Sequence, residues 1–289
     1  MIFRIRYDAT REALCHPGNA DDFFQIGTPQ DDTALCAEMS RLAYVKEEGR
    51  LAEYLGRAGF SKGQALGYGR NGTQVFIATA RGGGFTVVAF RGTEPNDPSD
   101  LFDDAEFLLT QWCDAKGCGA LGKVHEGFAR AAHQEGVFGR VMAYLNALPR
   151  DHRVLITGHS LGAALATLLA SWVPSAHLFT FGSPRVGNAA FAATMDGRIA
   201  TRYVNCCDLV TQVPPEGPLG YAHVGKLSYI DRNGTMLLSA PSEAVMLEDE
   251  AKAQVEFLRY ALVRGTVYSR ALADHAPINY LSGVMGLRE

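Results

Sequence analysis

Several features that define large protein classes are scarce in this 289-residue sequence. Lys and Arg number 27 against 31 Asp and Glu, a formal net charge of -4, so the sequence predicts no binding of nucleic acid. The longest apolar stretch, around residues 161–173, is shorter than the roughly 20 residues of a bilayer span, so no transmembrane segment is predicted. Near the N-terminus, charged residues interrupt the sequence before an apolar stretch long enough for a secretory signal is reached. We therefore expect a cytoplasmic protein, or one exported by a route that needs no such signal.

Signatures of metals and disulfides are also scarce. Six cysteines in a chain of this length require no disulfide framework, and we expect free thiols, although the spacing of Cys113 and Cys118 would allow one bridge. Neither a zinc-ligand spacing nor a His-Glu-x-x-His motif occurs, and the acidic segment 97–106 lacks the pattern of a calcium loop. The sequence thus predicts no metal and no cofactor.

The strongest positive signal is a strand, a tight turn and a helix around Ser160. Residues 154–170 read VLITGHSLGAALATLLA: an apolar run, a Gly-x-Ser-x-Gly turn, and a segment rich in Ala and Leu. Such a turn holds a serine at a strained backbone angle with its hydroxyl exposed, and Gly158 and Gly162 let the flanking segments approach each other. The helix points N–H groups and its positive dipole end at negative charge forming on a bound substrate. This pattern predicts a nucleophile elbow.

The rest of the chain predicts an α/β architecture. Apolar residues make up 47% of the sequence, enough for a substantial core, and no repeat or linker divides the chain, so we predict one domain over residues 1–289. Alternating strands and helices favour a mostly parallel central sheet flanked by helices. The predicted elements are a helix or helix pair over 31–59, an antiparallel hairpin of strands 74–80 and 84–90, strands 153–157, 177–181, 199–205 and 226–230, and helices 127–148, 161–172, 188–195 and 243–264.

A serine hydroxyl becomes nucleophilic when a neutral histidine accepts its proton, and a carboxylate must orient that histidine. Asp208 is the best candidate for the carboxylate, because it ends an apolar run at the expected carboxyl edge of a strand, where open α/β sheets collect active groups. Asp196 follows a helix and Asp231 opens a turn, so turn formation explains both more simply.

Three histidines, His177, His223 and His275, are candidates for the role of the base. His275 lies in a polar loop before a short helix, which suits a base, and it is our first candidate. His223, in Tyr-Ala-His-Val-Gly before a strand, is the alternative. His177 begins a strand and His159 lies inside the turn with its side chain directed away from the serine, so both are predicted to be structural.

Short blocks of distinctive composition are distributed from about residue 31 to residue 283. They cover residues 90–93, 124–128, 158–162, 180–188, 202–215, 221–223 and 275–280. In kind and order they resemble the class 3 lipases, the fungal-type triacylglycerol lipase family of the α/β-hydrolase fold. The resemblance implies a single α/β-hydrolase domain with Ser160 as nucleophile, Asp208 as acid and His275 as base. It also implies an oxyanion hole formed by Thr93 and the backbone N–H of Leu161.

The resemblance further implies a lid-like insertion around residues 95–123. If this segment were helical, its larger apolar side chains would lie on one face and form substrate-binding or lid positions that make transient contact with a lipid interface. A strand entering the core is an equally good interpretation of part of this stripe. The candidate residues are Leu101, Phe102, Leu108, Leu109 and Trp112.

Together these features predict a serine carboxylester hydrolase, first of all a triacylglycerol lipase, that acts on a lipid or other acyl ester through an acyl-enzyme. A phospholipase A1 or a feruloyl-type esterase would use the same triad, because substrate choice depends on pocket shape and lid residues. An interaction module of lipase-like fold without activity is the alternative from a different class. For the enzyme, activity should fall as His275 becomes protonated below neutral pH.

Overall fold

The computed structural model describes residues 5–26, 31–61, 64–66, 74–94, 107–117, 119–217, 219–237, 239–260 and 263–286. The helices are α1 (Arg11–Cys15), α2 (Asp32–Leu42), α3 (Glu48–Arg57), α4 (Glu126–His133), α5 (Val137–Asn146), α6 (Leu161–Trp172), α7 (Ala189–Ala193), α8 (Glu243–Phe257), α9 (Arg270–His275) and α10 (Pro277–Val284). The strands are β1 (Gln64–Leu66), β2 (Val75–Thr79), β3 (Phe85–Phe90), β4 (Leu109–Cys113), β5 (Ala120–His125), β6 (Arg153–His159), β7 (His177–Phe181), β8 (Gly187–Asn188), β9 (Ala200–Asn205), β10 (Tyr221–Ala222) and β11 (Lys226–Ile230).

The central sheet has the strand order β1-β2-β3-β6-β7-β9-β11. Strands β1, β2 and β3 pair antiparallel, whereas β3, β6, β7, β9 and β11 all run parallel. The turn between β2 and β3 contains Gly82 and Gly83 with φ angles of 94° and 76°, which favour glycine. The predicted hairpin and the mostly parallel sheet flanked by helices are both confirmed.

The core lies on both faces of this sheet, because successive side chains of a strand alternate between the two faces. In β3, Val88 and Phe90 belong to the cluster beneath α5 and α6, whereas Val87 and Ala89 belong to the cluster beneath α2 and α10. Strand β6 is buried on both sides, as expected for a central parallel strand. The nucleophile elbow therefore follows a buried strand in the middle of the sheet.

A smaller sheet with the order β10-β8-β5-β4 contains part of the stripe that was predicted as a lid helix. Residues Leu109–Cys113 form strand β4, so the strand interpretation is correct for this part of the stripe. The assignment of Trp112 to the lid or substrate pocket is wrong. Its side chain is 1% exposed, stacks on Trp172 at 5.2 Å between ring centroids, and donates a hydrogen bond to Ser171 Oγ at 3.0 Å.

Several predicted helix boundaries also differ. The segment predicted as one helix over 127–148 is divided into α4 and α5, because Glu135 and Gly136 adopt left-handed conformations with φ of 51° and 64°. The segment 31–59 is a helix pair, and α8 ends at Phe257 rather than near 264. Within the described ranges, no helix combines the length and the hydropathy needed to cross a bilayer.

Candidate active site

Ser160 occupies a strained turn between β6 and α6. Its φ and ψ angles are 58° and -128°, a region that a side chain-bearing residue adopts at a cost of about 1–3 kcal/mol. The two flanking glycines are required sterically: a Cβ on Gly158 would lie 2.2 Å from the carbonyl oxygen of Gly162, and one on Gly162 would lie 2.3 Å from that of Phe90. The predicted local geometry of the elbow is therefore present.

Two residues, Leu161 and Thr93, are implied to form an oxyanion hole. Leu161 is the first residue of α6, so its N–H has no acceptor within the helix. Thr93 follows Gly92, and a Cβ built on Gly92 would lie 3.2 Å from Ser160 Cβ and 2.2 Å from the hydroxyl of Tyr44. Only glycine allows the segment after β3 to approach the serine so closely, and Thr93 is the next residue of that segment. Its part in an oxyanion hole stays a prediction.

Asp208 lies after the carboxyl end of β9, as predicted. It is fully buried, and its Oδ1 accepts a hydrogen bond from Val210 N at 2.9 Å, which begins the 3-10 helix Leu209–Gln212. Its Oδ2 accepts a hydrogen bond from the hydroxyl of Tyr280 at 2.5 Å. Burial and then the negative charge of Asp208 raise the pKa of Tyr280 well above its ordinary value, so this hydroxyl remains a donor.

His275 joins the acid to the serine. Its Nδ1 lies 2.9 Å from each carboxylate oxygen of Asp208, and its Nε2 lies 2.9 Å from Ser160 Oγ. Because a carboxylate can only accept, Nδ1 carries the proton and Nε2 faces the serine hydroxyl with its lone pair. Sequence analysis placed His275 in a loop, but it is the last residue of α9. The three residues expected to form a triad are thus in one continuous hydrogen-bonded chain.

His159 holds the backbone of His275 in place through a hydrogen bond. Its Nε2 donates to the backbone carbonyl of His275 at 2.7 Å, and its Nδ1 accepts from the hydroxyl of Tyr44 at 2.9 Å. Burial and then the charge of His275 hold the pKa of His159 well below its ordinary value, so its ring stays neutral. The side chain points away from Ser160, as predicted, and its role is to hold the backbone of the histidine that faces the serine.

A second set of contacts connects α9 with the loop that carries Asp208. Asp274 Oδ2 accepts a hydrogen bond from the backbone N–H of Cys207 at 3.1 Å, and the carbonyl of Asp274 accepts one from the Asn205 side chain at 2.8 Å. Arg270 Nε donates to Asp274 Oδ1 at 2.8 Å within the same helix. These contacts fix the distance between two segments far apart in sequence. Sequence analysis missed them, although the Arg and Asp at i and i+4 are a recognisable signal.

The remaining candidates lie elsewhere. His223 lies beside Arg185 and Arg202, and burial together with their positive charges lowers its pKa to about 2. Asp231 accepts backbone hydrogen bonds from residues 233 and 235, which confirms its role in a turn. Asp196 is exposed and follows α7.

Within the described part of the chain, a close group of metal-ligand side chains consists of Cys206, Cys207 and Asp274. The carboxylate of this aspartate already accepts hydrogen bonds from Arg270 and from a backbone N–H. Cys113 is a free thiol, and Cys118 lies outside the described residues.

The predicted lid residues are only partly described. Leu101 and Phe102 lie outside the described residues. Leu108 is 54% exposed, and its carbonyl accepts hydrogen bonds from Tyr221 and from the backbone N–H of Glu126. Leu109 begins β4 and is half-buried. Contact of Leu108 and Leu109 with a substrate therefore stays a prediction.

The architecture that carries this site is the α/β-hydrolase fold. Residues 87–217 match the family model described as lipase (class 3). The crystal structure of the lipase from Rhizopus microsporus var. chinensis is similar to this chain with a TM-score of 0.53 and 30% identity, covering 68% of this chain and 70% of that one. The chain belongs to the class 3 lipase family, and the resemblance seen in the sequence is confirmed.

Curated relatives match over a smaller part of their length. The lipase of Rhizopus niveus is 32% identical over 183 residues, which cover 59% of this chain and 44% of that protein. Phospholipase A1-II 4 of Oryza sativa subsp. japonica is 27% identical over 203 residues, covering 61% of this chain and 50% of that protein. The chain thus spans about half the length of these curated relatives.

Proposed function

We propose that this chain is a serine carboxylester hydrolase, most directly a triacylglycerol lipase, with Ser160 as nucleophile, His275 as base and Asp208 as acid. The observation that carries the proposal is the hydrogen-bonded chain from Ser160 Oγ through the two ring nitrogens of His275 to the buried carboxylate of Asp208. Membership of the class 3 lipase family supports it, as does the lipase from Rhizopus niveus among the relatives.

In the proposed mechanism, His275 Nε2 removes the proton of Ser160 as the serine oxygen attacks the acyl carbon. The imidazolium that forms is stabilised by Asp208, whose carboxylate is held by the Tyr280 hydroxyl and by a backbone N–H. Protonation of the departing alcohol by His275 leaves an acyl-enzyme. Water, deprotonated by the same histidine, then attacks the acyl group and releases the carboxylic acid. No step requires a cofactor.

The oxyanion of each tetrahedral intermediate would accept hydrogen bonds from Thr93 and from the N–H of Leu161. The position of Leu161 at the start of a 12-residue helix supports this assignment, because the positive dipole end lies at the same place. A donor of this kind is typically worth about 3 kcal/mol of barrier.

A phospholipase A1 is the second candidate, since proteins named phospholipase A1-II are among the relatives. A feruloyl-type esterase would use the same triad. These activities differ in the alcohol part of the substrate, and the predicted lid residues that would contact it lie partly outside the described residues.

The decisive experiment combines labelling with turnover. A fluorophosphonate probe should label the wild-type protein and not Ser160→Ala, and the variant should lose hydrolysis of every ester while its thermal midpoint stays near that of the wild type. Rates on short-chain esters, emulsified triacylglycerols and phospholipids would rank the candidate activities, and comparison with and without an emulsified interface tests the predicted lipid contact. Absence of labelling in folded wild-type protein would favour an inactive interaction module.

A further inference from the structure

A cavity lies beside strands β9 and β11 and helix α8. It has a volume of about 490 Å³, and its wall includes Arg185, Arg202 and His223 together with apolar side chains of Val204, Leu227 and Met246. Two guanidinium groups in a partly apolar cavity are unusual, because burying a charge is costly unless it is paired.

The hydrogen bonds of the two arginines are incomplete. Arg185 donates through Nη1 to the carbonyls of Gln212 and Pro214 and through Nη2 to Glu216, but its Nε is buried without a partner. The Nε of Arg202 is likewise buried without a partner, and the structure gives its guanidinium no hydrogen bond or ion pair to the described residues. The two Nη groups of Arg202 are therefore the donors available to a ligand.

The electrostatics of the cavity wall favour the binding of a negatively charged group. Burial and then the charge of Arg185 lower the pKa of Arg202 to about 10, while Glu216, the carboxylate that opposes this effect, is mostly exposed. The neighbouring His223 has a pKa lowered to about 2 by burial and by both arginines, so it stays neutral and can donate or accept a hydrogen bond. At neutral pH the guanidinium of Arg202 therefore remains charged.

We propose that this cavity is a binding site for an oxyanion headgroup, a carboxylate or a phosphate, bound by Arg202 and Arg185 with an attached apolar chain along Val204, Leu227 and Met246. A planar guanidinium pairs with two oxygens of such a group through two parallel hydrogen bonds, which Arg202 can provide. The proposal does not depend on hydrolysis at Ser160.

Two carboxyl side chains of α8, Glu243 and Glu250, also line the cavity. The charges that shift the pKa of Glu250 come from Asp249 and Asp274 and not from the arginines. Burial and these two charges raise the pKa of Glu250, which favours its neutral form.

The test is binding of octanoate and, separately, of inorganic phosphate to the full chain carrying Ser160→Ala, measured by calorimetry and by the shift of the thermal midpoint. We expect saturable binding of at least one probe that weakens about tenfold or more in Arg202→Gln, since a hydrogen-bonded charge pair is lost. Arg140→Gln, which removes an exposed arginine of α5, is the control and should bind as before. Tighter binding of one probe identifies the headgroup.

A stability measurement separates this role from a structural one. Without any anion, Arg202→Gln should unfold at a higher temperature than the parent protein, because it removes a buried charge without a partner. A lower midpoint would mean that the fold needs the guanidinium itself. If that variant fails to fold, Arg202→Lys replaces it: the charge is kept but the two parallel donors are lost, and binding should still weaken. Absence of saturable binding of both probes, or equal binding by Arg202→Gln and Arg140→Gln, would overturn the proposal.

Discussion

Tyr280→Phe removes one hydroxyl from beneath the proposed triad and leaves the ring in place. That hydroxyl donates to Asp208 Oδ2 at 2.5 Å and accepts from the backbone N–H of Asn205 at 3.2 Å. The ring is 1% exposed and packs edge-on against His159 and Phe181, so phenylalanine fills the same space. The change therefore tests a hydrogen bond to the acid rather than the packing.

Its magnitude follows from the partners. A hydrogen bond to a charged group contributes about 1.5–3 kcal/mol, and the buried N–H of Asn205 also loses its acceptor, so the free energy of unfolding should fall by about 3 kcal/mol. Asp208 keeps its hydrogen bonds with Val210 N and His275, so only part of this loss of free energy raises the barrier of the reaction. If about 1.4 kcal/mol does, kcat falls about tenfold. KM should be unchanged, because the Tyr280 hydroxyl contacts Asp208 and the backbone of Asn205 rather than the substrate.

The assay is kcat and KM on p-nitrophenyl butyrate, with urea unfolding measured separately. Tyr203→Phe is the matched control: Tyr203 stacks on the same Phe181 ring at 4.9 Å, but its hydroxyl is hydrogen-bonded to Thr33 and not to the triad. That variant should lose stability without losing kcat. Equal kcat values for the two variants would refute the role of Tyr280 in holding Asp208.

Three further outcomes are expected. Gly182→Ala should reduce kcat about a hundredfold, because φ is 59° and the new Cβ would lie 2.8 Å from Asp208 Oδ2; Gly197→Ala, with φ of 75° and open space, should cost only about 1 kcal/mol of stability. The pKa of His159 is lowered in the folded state, whereas in the unfolded chain this histidine takes up a proton near pH 6.5. The free energy of unfolding should therefore fall by about 1.4 kcal/mol per pH unit below that value. Urea titration of His159→Gln should show no such contribution to the pH dependence. Trp112→Ala should lower the unfolding free energy by about 3–5 kcal/mol and leave kcat of the folded protein unchanged, whereas a large loss of kcat at full stability would restore the lid interpretation.

The parts of the fold that were predictable are those with a local cause. Helix α6 was predicted over 161–172 and occupies Leu161–Trp172, because the turn residues before it and the composition within it both favour that start. The strands of the central sheet were recognised from short apolar runs between turn residues. The break between α4 and α5 was not, since two left-handed residues interrupt an otherwise continuous helical periodicity.

The stripe ending at Trp112 shows a second limit. Apolar residues at 108, 109 and 112 fit one face of a helix, but they fit a short strand beside the core equally well, and periodicity alone cannot choose. Leu109–Cys113 pairs with β5, and Trp112 stacks on a tryptophan 60 positions further along the sequence. Both contacts depend on tertiary structure, and they identify the segment as a strand. The same limit applies to Tyr280 and Asp274, whose contacts with the Asp208 segment depend on tertiary structure.

The choice between His275 and His223 shows what the surroundings add to the sequence. Both histidines follow the serine in the chain, and both lie near predicted element ends. A histidine that acts as a general base acquires a positive charge during the reaction, and a nearby anion stabilises that charge. His275 faces the carboxylate of Asp208, whereas His223 faces two guanidiniums and has a pKa of about 2. Residue type and order in the sequence do not reveal these neighbours, and this is why both histidines remained candidates.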